Sequence, residues 1–422
     1  LYRHKVGEAL ESSRVIITGK IRELEMNDES VRLGITSNQA LYNEPISGFD
    51  ISDDTAMGDY TDCSDEANGS AATIIYGTVS RTDCPVINIG SKYAMFSGHF
   101  SSDVTDVWLN NDNSVTFTHS NQTDDEGNKY ERIEVTSGAA WDDDTVISAA
   151  GVGRLDTSAG YYTGTAGAIV THPADIIHQI ARMNIGIPKT EIDDDSFHKA
   201  RGAREGWKFN VQVNPDDRTR FFDFAQQLGY WARIATYVED GLLRCRALQV
   251  NRPATFAIDA SNLIAVRSYT PGRMREVANE ITLRYGWRYN YAKRKWLFSS
   301  TRRGKASGER FDLQESQTLF GVKRKKYECK FVGHHSDADA LKTAKLVLNE
   351  ISTMRWHPRG IVEVEVDDSS HGIRLLDAVS LTWDAAPSSN GSGWNKKKFI
   401  VIGIRYGLES NQITMIEGDS KR

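Results

Sequence analysis

A bilayer takes about 18 to 20 consecutive apolar residues to cross, and no stretch of this chain comes near that. Its longest aliphatic runs, such as FIVIGI at 399–404, are strand-sized. Cysteine is scarce: Cys63, Cys84, Cys245 and Cys329 are scattered, with no C-x-x-C and no clustered histidines. That argues against zinc and iron–sulfur sites. A Cys63–Cys84 disulfide is open on sequence, but four separate thiols are the favoured reading. There is no G-x-S-x-G, no H-E-x-x-H and no phosphate-cradling glycine loop, so nothing supports an enzyme. No repeat period signals a solenoid. No signal peptide is visible, and because the chain opens on Leu1 its targeting cannot be judged.

What is present is ordinary globular material. The 422 residues are 39% hydrophobic and 26% charged, room for about two to four domains with real cores. The formal charge of -6 hides an asymmetry. Residues 1–150 carry roughly 26 acidic against roughly 10 basic groups, so that region repels nucleic acid and anionic membranes. Between Arg267 and Lys326 the balance reverses, to roughly 16 basic against roughly 5 acidic. Opposite signs at two places in one chain suggest packing between copies, or distinct partners on two sides; solvated loops are the plainer account of the acidic end.

The C-terminal region has the clearest pattern. IVEVEV, AVSLTW, KKFIVIGIRY and NQITMI read as strands. Val362, Val364 and Val366 alternate with Glu363, Glu365 and Asp367, the period of a half-buried strand. Ile400, Ile402 and Ile404 are expected on one face. A loop from Pro387 to Gly393 separates Trp383 from Trp394, which is hairpin chemistry with a long tip. Such a meander can close a small barrel.

Upstream, Arg14 to Thr18 and Val31 to Ile35 read as short strands flanking a turn at Asn27, Asp28 and Glu29. Ser47 to Ser70 is rich in Gly, Asp, Ser and Asn, a long loop. From Thr73 to Ala150, TIIYGTV, SKYAMFSG, DVWLN, SVTFTH, KYERIEV and DTVISAAG are spaced by turn clusters such as Asn110 to Asn113, the pattern of a sandwich or barrel. HPADIIHQIARM then predicts a helix with Pro173 at its first position, Ile176, Ile177, Ile180 and Met183 on one face, and Gly186 as a stop. A second helix is expected over Arg218 to Leu228, burying Phe221, Phe222, Phe224, Ala225 and Leu228 and capped by Gly229. A hairpin turning at Glu239, Asp240 and Gly241 follows. Ile281, Leu283, Tyr285, Trp287 and Tyr289 alternate with polar residues, and a turn near Ala292 to Arg294 leads to Trp296 and Phe298. A long helix capped by Ser336, with Asp337 and Asp339 in its first turn, faces Leu341, Ala344, Leu346, Val347 and Ile351 inward.

Each candidate for chemistry has a plainer explanation beside it. His334, His335 and Asp339 offer ligands without the further groups a metal needs; Ser336 and the aspartates read as a helix N-terminus. His172 and His178 are badly spaced for one helical face, and His178 reads as a satisfied structural histidine. Asp142, Asp143 and Asp144, like Asp193, Asp194 and Asp195, lack the spaced calcium loop, and sequence cannot place a carboxylate pair for glycoside hydrolysis. Arg284, Arg288, Lys293, Arg294 and Lys295 interleave with Tyr285, Trp287, Tyr289 and Trp296. That is how single-stranded nucleic acid is gripped, and equally how a two-faced strand buries rings and exposes arginines. No catalytic, cofactor-binding or metal-binding residue is therefore assigned.

GTAGAIVTHPADIIHQIARMNIGIP, the stretch around Ile192 to Phe197, the Phe-rich helix and the hairpin closing on DGLLRCRAL resemble the tail hub proteins of tailed bacteriophages. NEITLRYGWRYN, the Ser336 to Met354 helix, and IRLLDAVSLTW with KKFIVIGIRYGLESNQITM resemble later hub segments. Where the family tends to carry Leu-Gly-Asp-Val-Val, this chain has Leu376, Asp377, Ala378 and Val379. The likeness covers roughly residues 14–50 and 73–422 and is strongest after Gly164; the Ser47 to Ser70 insertion departs from it.

The resemblance implies a virion structural protein without enzymatic activity, a homotrimeric hub at the distal end of the tail. Its partners would be the distal tail protein ring, the tape-measure protein, and tail fibres or other tip proteins, with no membrane in the assembled particle. Host attachment and genome ejection would be its setting. A carbohydrate-binding adhesin domain, motivated by 9 Trp and 16 Tyr, and a single-stranded nucleic-acid-binding module are the alternatives. The fold expected is mainly β with an α+β insertion. It comprises a partial first β-barrel segment (1–50), a loop or linker (51–72), a β-sandwich-like domain (73–160), an α+β domain (161–265), a β-hairpin and basic segment (266–335), and a helix plus C-terminal β-barrel meander (336–422).

Overall fold

The computed structural model describes residues 2–3, 14–15, 19–26, 31–51, 60–112, 115–138, 140–249, 252–290, 293–304, 311–333, 337–367, 372–387, 393–407 and 410–418. The architecture is mainly β, with several sheets and a small set of helices. No helix among the described residues is long and apolar enough to cross a membrane.

Near the N-terminus, Gly19–Met26 and Val31–Ser37 pair as an antiparallel ribbon. A sandwich follows. Its three-stranded sheet runs Thr78–Cys84, Ile147–Arg154, Ser101–Leu109, and its four-stranded sheet runs Phe117–Thr123, Lys129–Val135, Tyr93–Ser97, Val86–Asn88. Val79, Phe96, Val104, Val107, Ile133 and Ile147 pack between the two sheets, as face-to-face sheets require, and a register shift opposite Ala150 and Gly151 lets both Val104 and Val107 face inward. The Gly- and Asp-rich stretch before it is anchored where it is described. Ile51 and Tyr60, two of its few large side chains, are fully buried, and Tyr60 packs on Tyr130 with ring centroids 5.5 Å apart.

The largest core belongs to the helices. Pro173–Met183 starts where His172 Nδ1 accepts from the Ala174 N–H at 3.2 Å, and proline opens it because its missing N–H would have had no partner there. Ile176, Ile177 and Ile180 are buried as expected, but Met183 is 59% exposed. Met183 is the last residue of the helix, so the last position of the stripe has passed beyond the core.

The Phe-rich helix runs Phe221–Ala232, past the expected stop. Gly229 lies inside it rather than after it. A Cβ there would come within 2.4 Å of the Ile234 carbonyl oxygen, so the glycine admits the returning chain, and Arg233 (φ 54°) makes the left-handed exit. The hairpin Ile234–Glu239/Leu242–Ala247 turns on Asp240 and Gly241, both at positive φ, a type I′ signature.

This core also takes in the inner face of a three-stranded sheet, in which Glu280–Asn290 lies between antiparallel Lys295–Gly304 and parallel Arg324–Glu328. Ile281, Leu283 and Tyr285 point inward with Ala344, Val347 and Ile351 of the helix Asp337–Arg355, so sheet and helix share one apolar interior.

The C-terminal strands form a six-stranded sheet: Phe256–Ile258, Ala378–Trp383, Trp394–Tyr406, Asn411–Glu417, Ile361–Val366, Leu263–Thr270. Its two edge strands are consecutive in sequence and separated only by residues 259–262. So short a link brings the edges close, and the sheet must roll into a half-barrel around Val362, Val364, Val379, Leu381, Phe399 and Val401. Ile400, Ile402 and Ile404 do not share a face: the register shifts between Val401 and Gly403, leaving Ile400 buried and Ile402 40% exposed. A bulge inserts a residue and reverses the alternation beyond it.

Candidate interaction faces

Cross-strand register builds a basic face on the outer side of the Glu280–Asn290 sheet. Thr282 lies opposite Arg303 on one side and Lys326 on the other, Arg284 opposite Thr301 and Glu328, and Glu280 opposite Arg324. Since neighbouring strands lie about 4.8 Å apart, these side chains form a compact grid around a shallow cleft of about 460 Å³, which Lys325 also lines. Arg284 pairs with Glu328 at 2.8 Å, Lys326 with Glu328 at 3.2 Å, and Arg324 with Glu280 at 3.1 Å. Five cations thus meet two carboxylates. Exposed pairs of this kind contribute little stability; the charge excess faces outward. Lys295–Gly304 and Arg324–Glu328 are edge strands, where such charge also discourages indiscriminate strand addition.

The rings of the same hairpin gather elsewhere. Trp287 and Trp296 lie nearly parallel, with centroids 5.8 Å apart and 13° between planes, and Phe298 packs on Trp287 at 4.7 Å. The Tyr289 N–H donates to Ser80 Oγ at 3.0 Å, and the Arg81 guanidinium sits 4.3 Å from the Tyr289 ring, tying the hairpin to the sandwich. Between them opens a second cleft, of about 300 Å³, walled by Trp287, Trp296 and Phe331 and by Asn210, Gln212 and Asp217. The basic cleft has no ring in its lining, and the aromatic cleft has one cation, Lys330. Of the cations that alternate with rings in this sequence, Arg284 lines the basic cleft and packs 4.9 Å from the Phe298 ring, while none of Arg288, Lys293, Arg294 and Lys295 lines the aromatic cleft, which weighs against a stacking grip on single-stranded nucleic acid there. All nine tryptophans are buried or half-buried.

The remaining sequence candidates fall into structural roles. His172 caps its helix, and its Nε2 donates to the Arg204 carbonyl at 3.0 Å. Burial holds its pKa down to about 4. His178 is fully buried, stacked on Phe197 at 4.6 Å, with Nε2 3.0 Å from Asp194 Oδ1. Burial again outweighs the carboxylate and depresses it to about 4. Tyr161 Oη donates to the other Asp194 oxygen at 2.5 Å. Beside this cluster Asp175 is pushed up to about 7 by burial, against the pull of Arg201 3.7 Å away. His172, His178 and Asp175 are buried, while Tyr161 and Asp194 at the rim of the cluster are half-buried.

Asp193 caps the helix Asp194–Ala203 and accepts from the Ser196 N–H at 3.1 Å, while Asp195 pairs with Lys199 at 2.5 Å. Asp142 closes a turn with Thr145, and Asp143 and Asp144 are exposed. Asp339 pairs with Lys208 at 3.0 Å. His334, His335 and Ser336 lie outside the described residues. Among the described residues no three His, Cys, Asp or Glu side chains converge to hold a metal. The four cysteines are free thiols.

The sequence reading missed the residues opposite the aromatic wall. FNVQVN holds their signal: Phe209, Val211 and Val213 are buried, while Asn210, Gln212 and Asn214 point outward with period two.

No family model and no curated protein matches the chain. Solved structures similar to it include a chain of the virion of a native gene transfer agent particle (13% identity, 86% of this chain and 87% of that one, TM-score 0.49). Another is a tail protein from Neisseria meningitidis MC58 (9% identity, 83% and 96%, TM-score 0.32). A third is prophage tail protein gp18 from Listeria monocytogenes EGD-e (9% identity, 87% and 91%, TM-score 0.33). The superpositions are partial and the identities low.

Proposed function

We propose that this chain is a structural protein of a phage-like virion, the hub of a tail tip or baseplate, working by assembly rather than catalysis. The observation that carries the reading is one of order. The segments that resemble hub proteins fold in sequence as three helices and a hairpin, a two-faced strand, a long helix and a rolled terminal sheet. Two β units flank the helical core, the arrangement a hub subunit with two tube-like β domains calls for.

Charge supports self-association. A closed ring of three or more identical subunits is head-to-tail, so each subunit must present two different, complementary faces. The outward basic grid and the acid-rich N-terminal region, with Asp103, Asp106, Asp125 and Glu126 exposed on the sandwich, supply opposite signs in one chain. In this reading three copies form a ring at the distal end of the tail. It joins the tail tube, through the distal tail protein ring, to fibres or other tip proteins, with the tape-measure protein reaching its lumen.

Class averages of the purified chain in negative stain test this. The reading expects threefold rings with a central opening; monodisperse single subunits at micromolar concentration would refute it.

A further inference from the structure

We propose that the cleft between the Trp287–Trp296 pair and the Val211–Val213 strand binds a neutral saccharide. This goes beyond the hub reading and does not depend on it.

The lining sets the ligand class. Its formal charges are one carboxylate, Asp217, and one ammonium, Lys330, so it has no preference for a polyanion, unlike the basic cleft on the same sheet. Three aromatic residues make up much of the wall. Trp287 and Trp296 are nearly parallel, with centroids 5.8 Å apart, and both line the cleft; the Lys330 ammonium sits 4.9 Å from the Trp287 ring centroid, so ring surface and one cation lie side by side there. A pyranose offers one face of C–H groups to such a surface and an equatorial rim of hydroxyls to whatever surrounds it.

The polar side of the cleft suits that rim. Hydroxyls both donate and accept, so they need mixed partners. Gln212 spends its Nε2 on Thr82 Oγ1 at 2.9 Å, which leaves its amide oxygen as an acceptor; Asn214 spends its Oδ1 on the Asp216 N–H, which leaves its amide nitrogen as a donor. Asp217 is exposed and adds an acceptor, and Lys330 adds donors. Asn210 has a supporting part: its Oδ1 accepts from the Thr78 N–H at 3.2 Å and fixes the floor. The cleft's 300 Å³ lies at the low end of ordinary ligand sites, room for one or two sugar rings. It sits where sandwich, helical core and basic hairpin meet, a junction of the kind ligand sites favour.

The test uses the full chain on a glycan microarray, followed by calorimetric titration with maltotriose, cellotriose and triacetylchitotriose and with a heparin hexasaccharide as the anionic probe. The expected result is saturable binding of at least one neutral glycan. Trp296→Ala should weaken it about tenfold or more and Asp217→Ala about three- to tenfold, as stacking and one charge-assisted hydrogen bond warrant. Trp296→Phe, which keeps a ring, should stay within about threefold and so separates stacking from misfolding. Arg324→Ala, in the other cleft, should leave binding unchanged. No neutral glycan bound on array or in solution, preference for the heparin probe, or neutral-glycan binding indifferent to Trp296→Ala would each overturn the assignment.

Discussion

Arg204 and Glu350 meet at 3.2 Å across 146 residues of sequence, and the arginine is only 5% exposed. Its Nε donates to the Ala232 carbonyl at 3.0 Å and its Nη2 to the Leu248 carbonyl at 2.6 Å. One guanidinium thus joins the ends of two helices, the end of the hairpin and the long helix. Its charge sits where the Phe221–Ala232 helix leaves its last carbonyls unpaired. Arg204→Met should cost about 3 to 5 kcal/mol, because it strands a carboxylate and several carbonyls together. The loss should appear as a lowered thermal midpoint, and Glu350→Gln should lower it less. Equal, negligible shifts would mean that this joint does not hold the core.

Gly229 and Gly202 both lie in helices, yet alanine should act on them in opposite senses. At Gly202 an added Cβ meets nothing within 4 Å, so Gly202→Ala should stabilise by about 0.5 to 1 kcal/mol. At Gly229 the Cβ would press on the Ile234 carbonyl oxygen at 2.4 Å. Gly229→Ala should destabilise by about 1 to 3 kcal/mol. Denaturant midpoints of the two variants check the sign directly.

Acid should destabilise this protein well before its surface carboxylates titrate. Burial holds His172 and His178 at about 4 and His99 at about 3, below the unfolded value of about 6.5. The unfolded chain therefore takes up three protons that the folded chain refuses as pH falls from about 6.5 toward 4. Asp175, pushed up to about 7, works the other way: the folded chain keeps a proton there that the unfolded chain has lost. Glu131, also raised by burial, works with Asp175, but three histidines outweigh two carboxyls, so stability falls as the pH drops through that window. Stability should peak near neutrality and fall on acidification, and a flat thermal midpoint between pH 7 and 5 would contradict this.

The same Asp175 supplies a test at the alkaline end. Between about pH 4, where the unfolded chain gives up this proton, and about pH 7, where the folded chain does, the buried carboxyl costs the folded state progressively more, and the cost is complete above about 7. Asp175→Asn removes the charge and keeps the shape, so it should raise the thermal midpoint more at pH 8 than at pH 5. A uniform loss at both values would show that the charge, through Arg201, is needed.

Sequence periodicity located the elements that obey a single period. Val362, Val364 and Val366 alternate without interruption, and the strand is where the pattern put it. The Asp240–Gly241 turn was legible because a type I′ turn demands those residues. What escaped was non-local. The Phe256–Ile258 and Leu263–Thr270 strands are short or broken by two register shifts, and they find partners about a hundred residues later. Gly229 looked like a stop because only the approach of Ile234 explains a glycine inside that helix. Which residues of the basic hairpin line which cleft depends on cross-strand register and on the sandwich at Ser80 and Arg81, neither of which one strand's sequence contains.

Sedimentation velocity of the purified chain across a salt series, beside an Arg303→Glu/Arg324→Glu/Lys325→Glu variant, tests self-association most directly. Contacts between opposite charges weaken as the Debye length shrinks. The account predicts a trimer or larger ring at low ionic strength that dissociates as salt rises, and a variant that stays monomeric at concentrations where the parent chain assembles. A parent chain that sediments as a 47.1 kDa monomer at every salt and protein concentration would contradict it.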